Sequence, residues 1–314
     1  MSASPAAAAV APRARGAAAA YLFLALAAAF WSGNFVVGRA VHGRVPPVGL
    51  AFWRWAVALA LLLPLARRPL AAQWRTILRA WRIVIPLGIL GVGNFNLFVY
   101  LGLTRTTATS ALLLQSACPA FIAALSPLLG GGRPGRRQVA GIAVSLAGVL
   151  VILGRGTLSA LAGLAFGPGD LWVLAAVLSW ALYTLLLARR PAGVDPLALL
   201  AALVAVGVAW IAPFYAWELA SGARMALDGV TVASVAYVAV FASVLAYRLW
   251  NEGVARVGAN RAGPFIHLMP AFGSLLAVAL LGEAFRPFHL AGLALVLGGV
   301  TLAGTSGRRG RATA

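Results

Sequence analysis

Pro119-Ala120-Phe121 recurs 151 residues later as Pro270-Ala271-Phe272. Scarcer residue types keep this register over much of the chain. The first two helices of each half, with the residues just before the second, match at a register of 149 residues instead. The matched pairs are Gly102 with Gly253, Arg105 with Arg256, Gly131 with Gly282, Gly141 with Gly292 and Gly148 with Gly299 at the first register, and Trp31 with Trp180, Pro47 with Pro196 and Pro64 with Pro213 at the second. Because matches of Pro, Gly, Trp and Arg in one register rarely arise by chance, they predict an internal duplication.

The composition is that of an integral membrane protein. Of the 314 residues, 62% are hydrophobic and 10% charged, whereas a soluble domain is roughly half apolar and about a quarter charged. All 25 basic residues are Arg, which indicates a GC-rich and therefore bacterial source, and the net charge is +19. Arginine crowds the cytoplasmic loops of spanning proteins, so this charge does not predict a nucleic-acid partner. The lone Cys118 rules out an intrachain disulfide framework.

Ten apolar segments are long enough to cross a hydrocarbon core of about 30 Å as helices. They are 17–37, 48–66, 83–103, 107–128, 138–154, 170–188, 196–217, 230–250, 260–281 and 288–305. The first resembles a signal peptide, but its length and the nine segments after it favour an uncleaved helix. Each repeat then has five helices, and this odd number requires the second repeat to insert upside down. We therefore predict an all-α integral membrane fold of ten transmembrane helices in two inverted five-helix repeats.

Arginine placement predicts the orientation. Eighteen arginines fall on the side of the N-terminus and six on the opposite side, with Arg54 inside a span. This bias places both termini in the cytoplasm. The predicted parts are a cytoplasmic tail over 1–16, a first repeat over 17–154, a second repeat over 170–305 and a cytoplasmic tail over 306–314.

Several motifs resemble the drug/metabolite transporter superfamily, specifically its ten-helix EamA-type transporters. They are Phe30-Trp31-Ser32-Gly33-Asn34-Phe35, Pro47 with Phe52-Trp53-Arg54, Gly102-Leu103 through Ala108 with Pro119, the second-repeat copy of that junction, and Leu281-Gly282-Glu283. The resemblance covers about residues 20–304 and implies export or exchange of amino acids, other small metabolites or amphipathic compounds across a bacterial inner membrane. One departure is Gly131-Gly132, where such families often carry Gly-Glu. Helix 1 lacks the glutamate that related four-helix exporters use for proton coupling, so that mechanism is not carried over.

The two repeated prolines predict a substrate pathway. Pro119 and Pro270 each remove a backbone donor near the centre of a helix, which leaves the carbonyls of Gln115 and Ile266 without their usual partners. Freed backbone groups at membrane depth need protein or a water-filled cavity around them. Inverted symmetry would bring both kinks to the midplane, where transporter sites lie. The alternative is that the kinks serve packing alone.

Polar residues near these kinks are the candidate substrate-binding groups. Helix 3 offers Asn94, Asn96 and Tyr100, and the alternative role for them is interhelical hydrogen bonding. Gln115 and Ser116 lie one turn before Pro119, and Ser116 aligns with His267. His267 could bind substrate or relay a proton, and a neutral core histidine is the equal alternative.

Aromatic and charged residues complete the candidates. Trp31, Trp180 and Tyr183 could wall a cavity, although aromatic residues in spans more often pack. Arg54 could anchor a substrate carboxylate, with Asn34 at similar depth, but the pattern favours an arginine that snorkels into an outer aromatic belt. At the inner end of helix 8, we predict a helical Arg248–Glu252 pair beside Tyr247 and Asn251, as a gate or an interfacial ion pair.

The predicted function is a secondary carrier that works by alternating access, with a site lined by helices 3, 4, 8 and 9 and by parts of helices 1 and 6. Its expected partners are a small-molecule substrate and the lipid bilayer, with no cofactor and no metal. A membrane-embedded enzyme acting on a lipid-linked substrate is the alternative, but the three histidines lie in separate segments and no HExxH motif occurs. Short loops argue against a scaffold. With no carboxylate at mid-membrane, flux should depend only weakly on pH. Substrate, direction and oligomeric state do not follow from the sequence.

Overall fold

The computed structural model describes residues 14–154, 157, 159, 167–281 and 287–304, and these residues form helices without any strand. Glu283, Arg155, Arg286, residues 1–13 of the predicted N-terminal tail, residue 305 and the predicted C-terminal tail 306–314 lie outside the described residues. The helices are α1 (Ala14–Ala40), α2 (Pro47–Arg79), α3 (Trp81–Leu103), α4a (Ala108–Gln115), α4b (Cys118–Leu125), α5 (Arg136–Leu153), α6 (Pro168–Leu186), α7 (Pro196–Ala220), α8 (Gly229–Val257), α9a (Ala259–Ala262), α9b (Leu268–Leu281) and α10 (Pro287–Gly304).

All ten predicted segments are helical, so the predicted fold class is confirmed. Six of them, α1, α2, α3, α6, α7 and α8, are long and apolar enough to span a membrane by themselves. The other four are shorter or broken: α5 and α10 have 18 residues each, and α4 and α9 are interrupted. The protein is therefore a multi-pass membrane protein.

Helix α2 is longer than predicted, because the arginine-rich stretch after residue 66 continues the helix to Arg79 instead of forming a loop. Arginine is a good helix former. The guanidinium of Arg75 lies 5.3 Å from the ring centroid of Trp74, and that of Arg82 lies 5.6 Å from the ring of Trp81. Exposed tryptophans flanked by arginine are typical of a helix that leaves the apolar core at a membrane interface.

Helix packing shows how the repeats are related. The most extensive contacts join α2 to α7, α5 to α10, α1 to α8 and α3 to α6. Exchanging the repeats maps the first two pairs onto themselves and the last two onto each other, as a twofold relation requires. The α5–α10 contact is antiparallel. A Cβ added at Gly148 would lie 2.7 Å from the carbonyl oxygen of Gly292, and one at Gly141 would lie 2.6 Å from that of Gly299.

Both proline helices are interrupted just before the repeated proline. Helix α4 breaks at 116–117, ahead of Pro119, and α9 contains a 3-10 turn (Gly263–His267) ahead of Pro270. The two interruptions meet, because a Cβ added at Gly263 would lie 3.6 Å from the Cα of Pro119. The structure thus brings the kinks together as the symmetry argument predicts.

A second pair of irregularities was not predicted. Helix α3 is π-helical over Gly88–Asn94, and α8 is π-helical over Val240–Leu245, which is the equivalent position in the other repeat. Turns of this kind inside α-helices often occur at functional sites. They give α3 and α8 matching distortions that face the centre of the molecule.

Contacts between the repeats lie at both faces of the bundle. At one face the Glu218 carboxylate of α7 accepts hydrogen bonds from the Val48 and Gly49 amides at 3.0 and 2.7 Å, which satisfies the start of α2. At the same face Arg44 pairs with Asp228 at 2.9 Å. At the opposite face the Gln73 side chain of α2 binds the Asp195 amide at 2.8 Å, just before α7. Each of these two long helices therefore caps the start of the other.

Candidate functional site

Arg54 is the centre of the candidate site. Its side chain is fully buried, with 0% exposure. Nε donates to Ser243 Oγ at 2.9 Å, Nη1 to Asn34 Oδ1, Asn96 Oδ1 and Tyr100 OH at 2.8, 2.7 and 2.6 Å, and Nη2 to the Ala242 carbonyl at 3.2 Å. The snorkelling interpretation is therefore wrong. Arg54 turns inward because polar groups from α1, α3 and α8 satisfy it there.

None of these partners carries a negative charge. In the described part of the chain, the ion pairs are Arg44 with Asp228 and Arg256 with Glu252, and neither involves Arg54. Its guanidinium carbon lies 5.0 Å from the ring centroid of Trp55 and 5.7 Å from that of Tyr100, a cation–π arrangement. Burying an ion costs several kcal/mol, which neutral dipoles offset only in part. The site therefore holds a positive charge without a counter-ion among these contacts.

The hydrogen bonds around Arg54 follow the duplication. Tyr100 OH donates to Asn34 Oδ1 at 2.7 Å, and Tyr183 OH donates to Asn251 Oδ1 at 2.7 Å. At the two registers, Asn34 corresponds to Tyr183 and Tyr100 to Asn251. Each repeat therefore contains one Asn–Tyr pair, with the two residue types exchanged between its helices.

The pseudo-twofold axis passes through a third pair. Asn96 corresponds to Tyr247, and Asn96 Nδ2 donates to Tyr247 OH at 3.0 Å. The positive charge of Arg54 breaks this symmetry, because the corresponding residue in the second repeat is Leu203. A nearly symmetric polar framework thus holds one cation, on one side of the axis.

The π-helical turns supply backbone acceptors to this framework. The Ala242 carbonyl accepts from Trp31 Nε1 at 2.9 Å as well as from Arg54. Its equivalent in the other repeat, the Gly91 carbonyl, accepts a hydrogen bond from Tyr247 OH. A π-helical turn displaces carbonyls from regular i to i+4 bonding, which leaves these two oxygens open to side-chain donors.

An aromatic cluster packs against the polar framework. The rings of Trp31 and Trp180 lie 5.0 Å apart, centroid to centroid, Trp180 and Tyr247 lie 5.2 Å apart, and Trp31 and Trp250 lie 5.3 Å apart. The indole N–H groups of Trp55, Trp180 and Trp250 are buried and have no hydrogen-bond partner among the described residues. Buried indoles usually find an acceptor, so the cluster retains hydrogen-bonding capacity that the described part of the chain does not use.

His267 lies in a second polar group, where the interrupted helices meet. Its Nε2 lies 2.7 Å from the Ser116 carbonyl oxygen, and its Nδ1 is hydrogen-bonded to Ser145 Oγ. A carbonyl only accepts, so Nε2 carries a proton. The single hydroxyl proton of Ser145 has two acceptors within reach, because its Oγ also lies 3.1 Å from the Ile142 carbonyl oxygen. The Ser116 carbonyl is available because the Ala120 amide bonds to Ala117 instead. These contacts are typical of a buried core histidine, and a proton-relay role stays a prediction.

The structure assembles most of the predicted site residues, in two groups. Asn34, Asn96 and Tyr100 contact Arg54. Trp31 and Trp180 pack edge to face beside them, and Tyr183 forms the symmetric pair. Ser116, Pro119, His267 and Pro270 are buried where α4 and α9 are interrupted, and Gln115 is buried there with Oε1 unpartnered. Asn94 is elsewhere: its Oδ1 accepts from Trp210 Nε1 of α7 at 2.8 Å.

The predicted cluster at the inner end of helix 8 is wrong in its pairing. Glu252 pairs with Arg256 at 2.8 Å and not with Arg248, although both arginines are four residues away. Tyr247 and Asn251 turn inward and complete the symmetric hydrogen bonds. Sequence reasoning overlooked Ser243 and the central role of Tyr247. The register itself would have located Tyr247 and Asn251, because it aligns them with Asn96 and Tyr100.

Comparison with known proteins assigns this sequence to a family. Residues 18–154 and 167–305 each match the sequence profile of the EamA-like transporter family. The chain is 28% identical over 287 residues to a probable amino-acid metabolite efflux pump of Salmonella typhimurium, covering 88% of this chain and 92% of that one. It is 27% identical over 299 residues to a probable terminal-alkyne amino-acid exporter of Streptantibioticus cattleyicolor, covering 92% and 95%.

A solved crystal structure has the same fold, with a TM-score of 0.72 at 24% identity, over 91% of this chain and 96% of that one. The duplication, the ten helical segments and the two profile matches agree with one another. The chain belongs to the EamA-like transporter family, and it is a membrane transporter.

Proposed function

We propose that this protein is a secondary transporter that exports or exchanges amino acids or other small metabolites by alternating access, without ATP hydrolysis. The observation that carries the proposal is the assembly of one polar site from both repeats. Arg54 of the first repeat bonds to Ser243 and Ala242 of the second, and Asn96 of the first bonds to Tyr247 of the second. Rocking of the repeats against each other would make and break these bonds.

The position of the site supports this mechanism. Arg54 is enclosed, and contacts between the repeats lie at both faces of the bundle. Inverted repeats open alternately to the two sides when one repeat rocks on the other. In this proposal the structure corresponds to the occluded state between the two openings.

Direction and location are part of the same proposal. Two relatives are named for the efflux or export of amino-acid compounds, which supports export. The arginine bias supports cytoplasmic termini, and the bacterial type of composition supports the inner membrane. Cysteine-accessibility labelling of each tail in intact cells and in inverted vesicles measures this orientation. Labelling of either tail from outside intact cells would contradict it.

The test of the transport proposal is solute flux in proteoliposomes that contain the purified protein. A panel of radiolabelled amino acids and small organic acids is loaded and counterflow is measured, with mass spectrometry to verify that the solute leaves unchanged. We expect at least one solute to move, and the Asn96→Ala/Gln115→Ala variant to lose that flux.

Asn94→Ala is the matched control, because Asn94 bonds to Trp210 and not to the site. Equal flux by the wild type and the double variant for every transported solute would refute the site assignment. Chemical conversion of a lipid-linked compound without solute flux would refute transport and favour the enzyme alternative.

A further inference from the structure

We propose that Arg54 is the anchor for a substrate carboxylate, and that the site requires this carboxylate but does not require an α-amino group. The preferred class is then a monocarboxylate with an apolar body, whether its α-position bears an amino, hydroxyl or oxo group or none. This inference rests on the proposed transport function and defines the chemistry of the same site.

The first argument is the bonding of the Arg54 Nη1 atom. It has two hydrogens but three oxygen atoms within 2.8 Å, those of Asn34, Asn96 and Tyr100. All three are neutral, and Tyr100 OH also donates to Asn34. A carboxylate that replaced two of these oxygens would end this sharing, give the guanidinium a counter-ion and form the bidentate pair that arginine and carboxylate favour.

The second argument is the fate of the displaced groups. Tyr100 and Asn34 can keep their mutual hydrogen bond when they lose Arg54, and Asn96 keeps its bond to Tyr247. Displacement therefore leaves few buried polar atoms unpaired. Trp55, whose ring stacks against Arg54, offers an unused indole N–H that can bind a carboxylate oxygen. The site is prepared to exchange its neutral acceptors for an anion.

The third argument concerns the ammonium group of an amino acid. Five of the six acidic side chains are described, and each is engaged away from Arg54: Asp170 with Thr106, Asp195 and Glu218 at helix starts, and Asp228 and Glu252 with arginines. None lies in the aromatic cluster or bonds to the polar framework. Among the described residues, an α-ammonium would find only neutral acceptors and ring faces there, so its contribution to affinity should be small.

The test uses the tryptophans of the site as the probe, because Trp31, Trp55, Trp180 and Trp250 surround it. The purified wild-type protein is titrated with phenylalanine, 3-phenyllactate and 3-phenylpropanoate, and with phenylalanine methyl ester and phenethylamine, while tryptophan emission is recorded. We expect the three carboxylates to bind within about tenfold of one another, and the ester and the amine to bind about 10- to 100-fold more weakly. An ester or an amine that binds as well as the acids would overturn the proposal, and so would a carboxylate without an amino group that does not bind.

Variants of Arg54 give a second test of the proposal. Arg54→Gln should lose carboxylate binding, and Arg54→Lys should weaken it about tenfold or more, because lysine cannot form the two-pronged contact. Arg189→Gln is the control, since Arg189 bonds to the exposed Leu129 carbonyl. If Arg54→Gln does not fold, the wild-type acid and ester series still decides the question.

The two proposals fail in different ways. Carboxylate-dependent quenching without flux of any solute would leave the anchor in place and refute transport. Flux of carboxylates by folded Arg54→Gln at the wild-type rate would leave transport in place and refute the anchor.

Discussion

At the scale of single residues, the molecule is a symmetric framework with one asymmetric charge. The Asn–Tyr pairs at 34 and 100 and at 183 and 251 use the same two side chains in exchanged positions. Such a pair can persist after a duplication, because a buried Tyr hydroxyl and an Asn oxygen hydrogen-bond to each other equally well when the two residues exchange helices. Arg54 has no such equivalent, since Leu203 takes its place. Specificity is therefore expected from the asymmetric residue, and rigidity from the symmetric ones.

Asn96→Asp tests this division. It places a carboxylate of nearly the same shape 2.7 Å from Nη1 of Arg54, so the protein would supply its own anion. We expect carboxylate binding and flux to fall about tenfold or more, while the thermal midpoint stays the same or rises. The measurements are tryptophan quenching and a thermal melt. Asn94→Asp is the matched control and should keep binding; loss of binding in both variants would contradict the prediction.

His267 is the residue from which a dependence of transport on pH would arise. Both ring nitrogens are engaged by neutral groups, the Ser116 carbonyl and the Ser145 hydroxyl. Carboxylate flux should therefore change by less than about threefold between about pH 6 and 8. Counterflow in vesicles with equal pH on both sides measures it. A profile that changes steeply in this range in the wild type but is flat in His267→Gln would show that the histidine relays protons.

At the scale of helices, distortions and glycines place the side chains. Asn94 and Asn96 are neighbours in sequence, yet one faces α7 and the other Arg54, because two residues turn a helix by about 200°. The paired π-helical turns in α3 and α8 bring backbone carbonyls into the site. On the far side, glycines of α5 and α10 let two backbones approach closely, as small residues do in membrane bundles.

Two adjacent glycines of α10 give a matched test of this contact. A Cβ at Gly299 would lie 2.4 Å from the Ser145 amide nitrogen, whereas a Cβ at Gly298 would meet nothing within 4 Å. We expect Gly299→Ala to lower the free energy of unfolding by about 1–3 kcal/mol. Gly298→Ala should be neutral or slightly stabilising, since alanine is the better helix former. Unfolding in mixed detergent micelles measures both. Equal stability of the two variants would show that α5 and α10 do not cross this closely.

At the scale of the whole molecule, the contacts between repeats divide into two faces and a centre. Glu218 and Arg44 join the repeats at one face, and Gln73 joins them at the other. An alternating carrier must break one set at a time. The exposed Arg44–Asp228 pair contributes little to stability, so it is suited to opening.

Crosslinking at this pair tests the rocking motion. Arg44→Cys/Asp228→Cys joined by a cleavable reagent of about 10 Å should lose flux, because the tether prevents the two repeats from separating at this face. Such a reagent spans more than the roughly 7 Å between Cα atoms that a direct disulfide allows. Reduction should restore flux. The native Cys118 is buried and should stay unmodified. The single-cysteine variants treated with the same reagent are the controls. Full flux in the crosslinked protein would mean that this face does not open.

The sequence alone predicted the fold and many of the residues that the structure brings together in the candidate site. Composition and hydropathy are averages over many residues, and the spacing of matching Pro, Gly and Trp residues persists after duplication. Both signals can therefore be recognised in the sequence. Helical periodicity also put Asn96 and Tyr100 on one face. It failed at Glu252, because Arg248 and Arg256 are both four residues away and only the folded helix shows which of them pairs with it.

The sequence by itself determined ten helices in two inverted repeats, because hydrophobic length and an odd helix count leave no other arrangement of the duplicated halves. Only the tertiary structure decided that Arg54 points into the bundle. The inward orientation of its side chain depends on five hydrogen-bond acceptors from three other helices that are distant in sequence. Two of those acceptors, Ser243 and Ala242, are positioned by a π-helical turn. In a regular α-helix each residue turns by about 100° about the helix axis. A π-helical turn changes this angle, so the helix face on which these two residues lie does not follow from their spacing in the sequence.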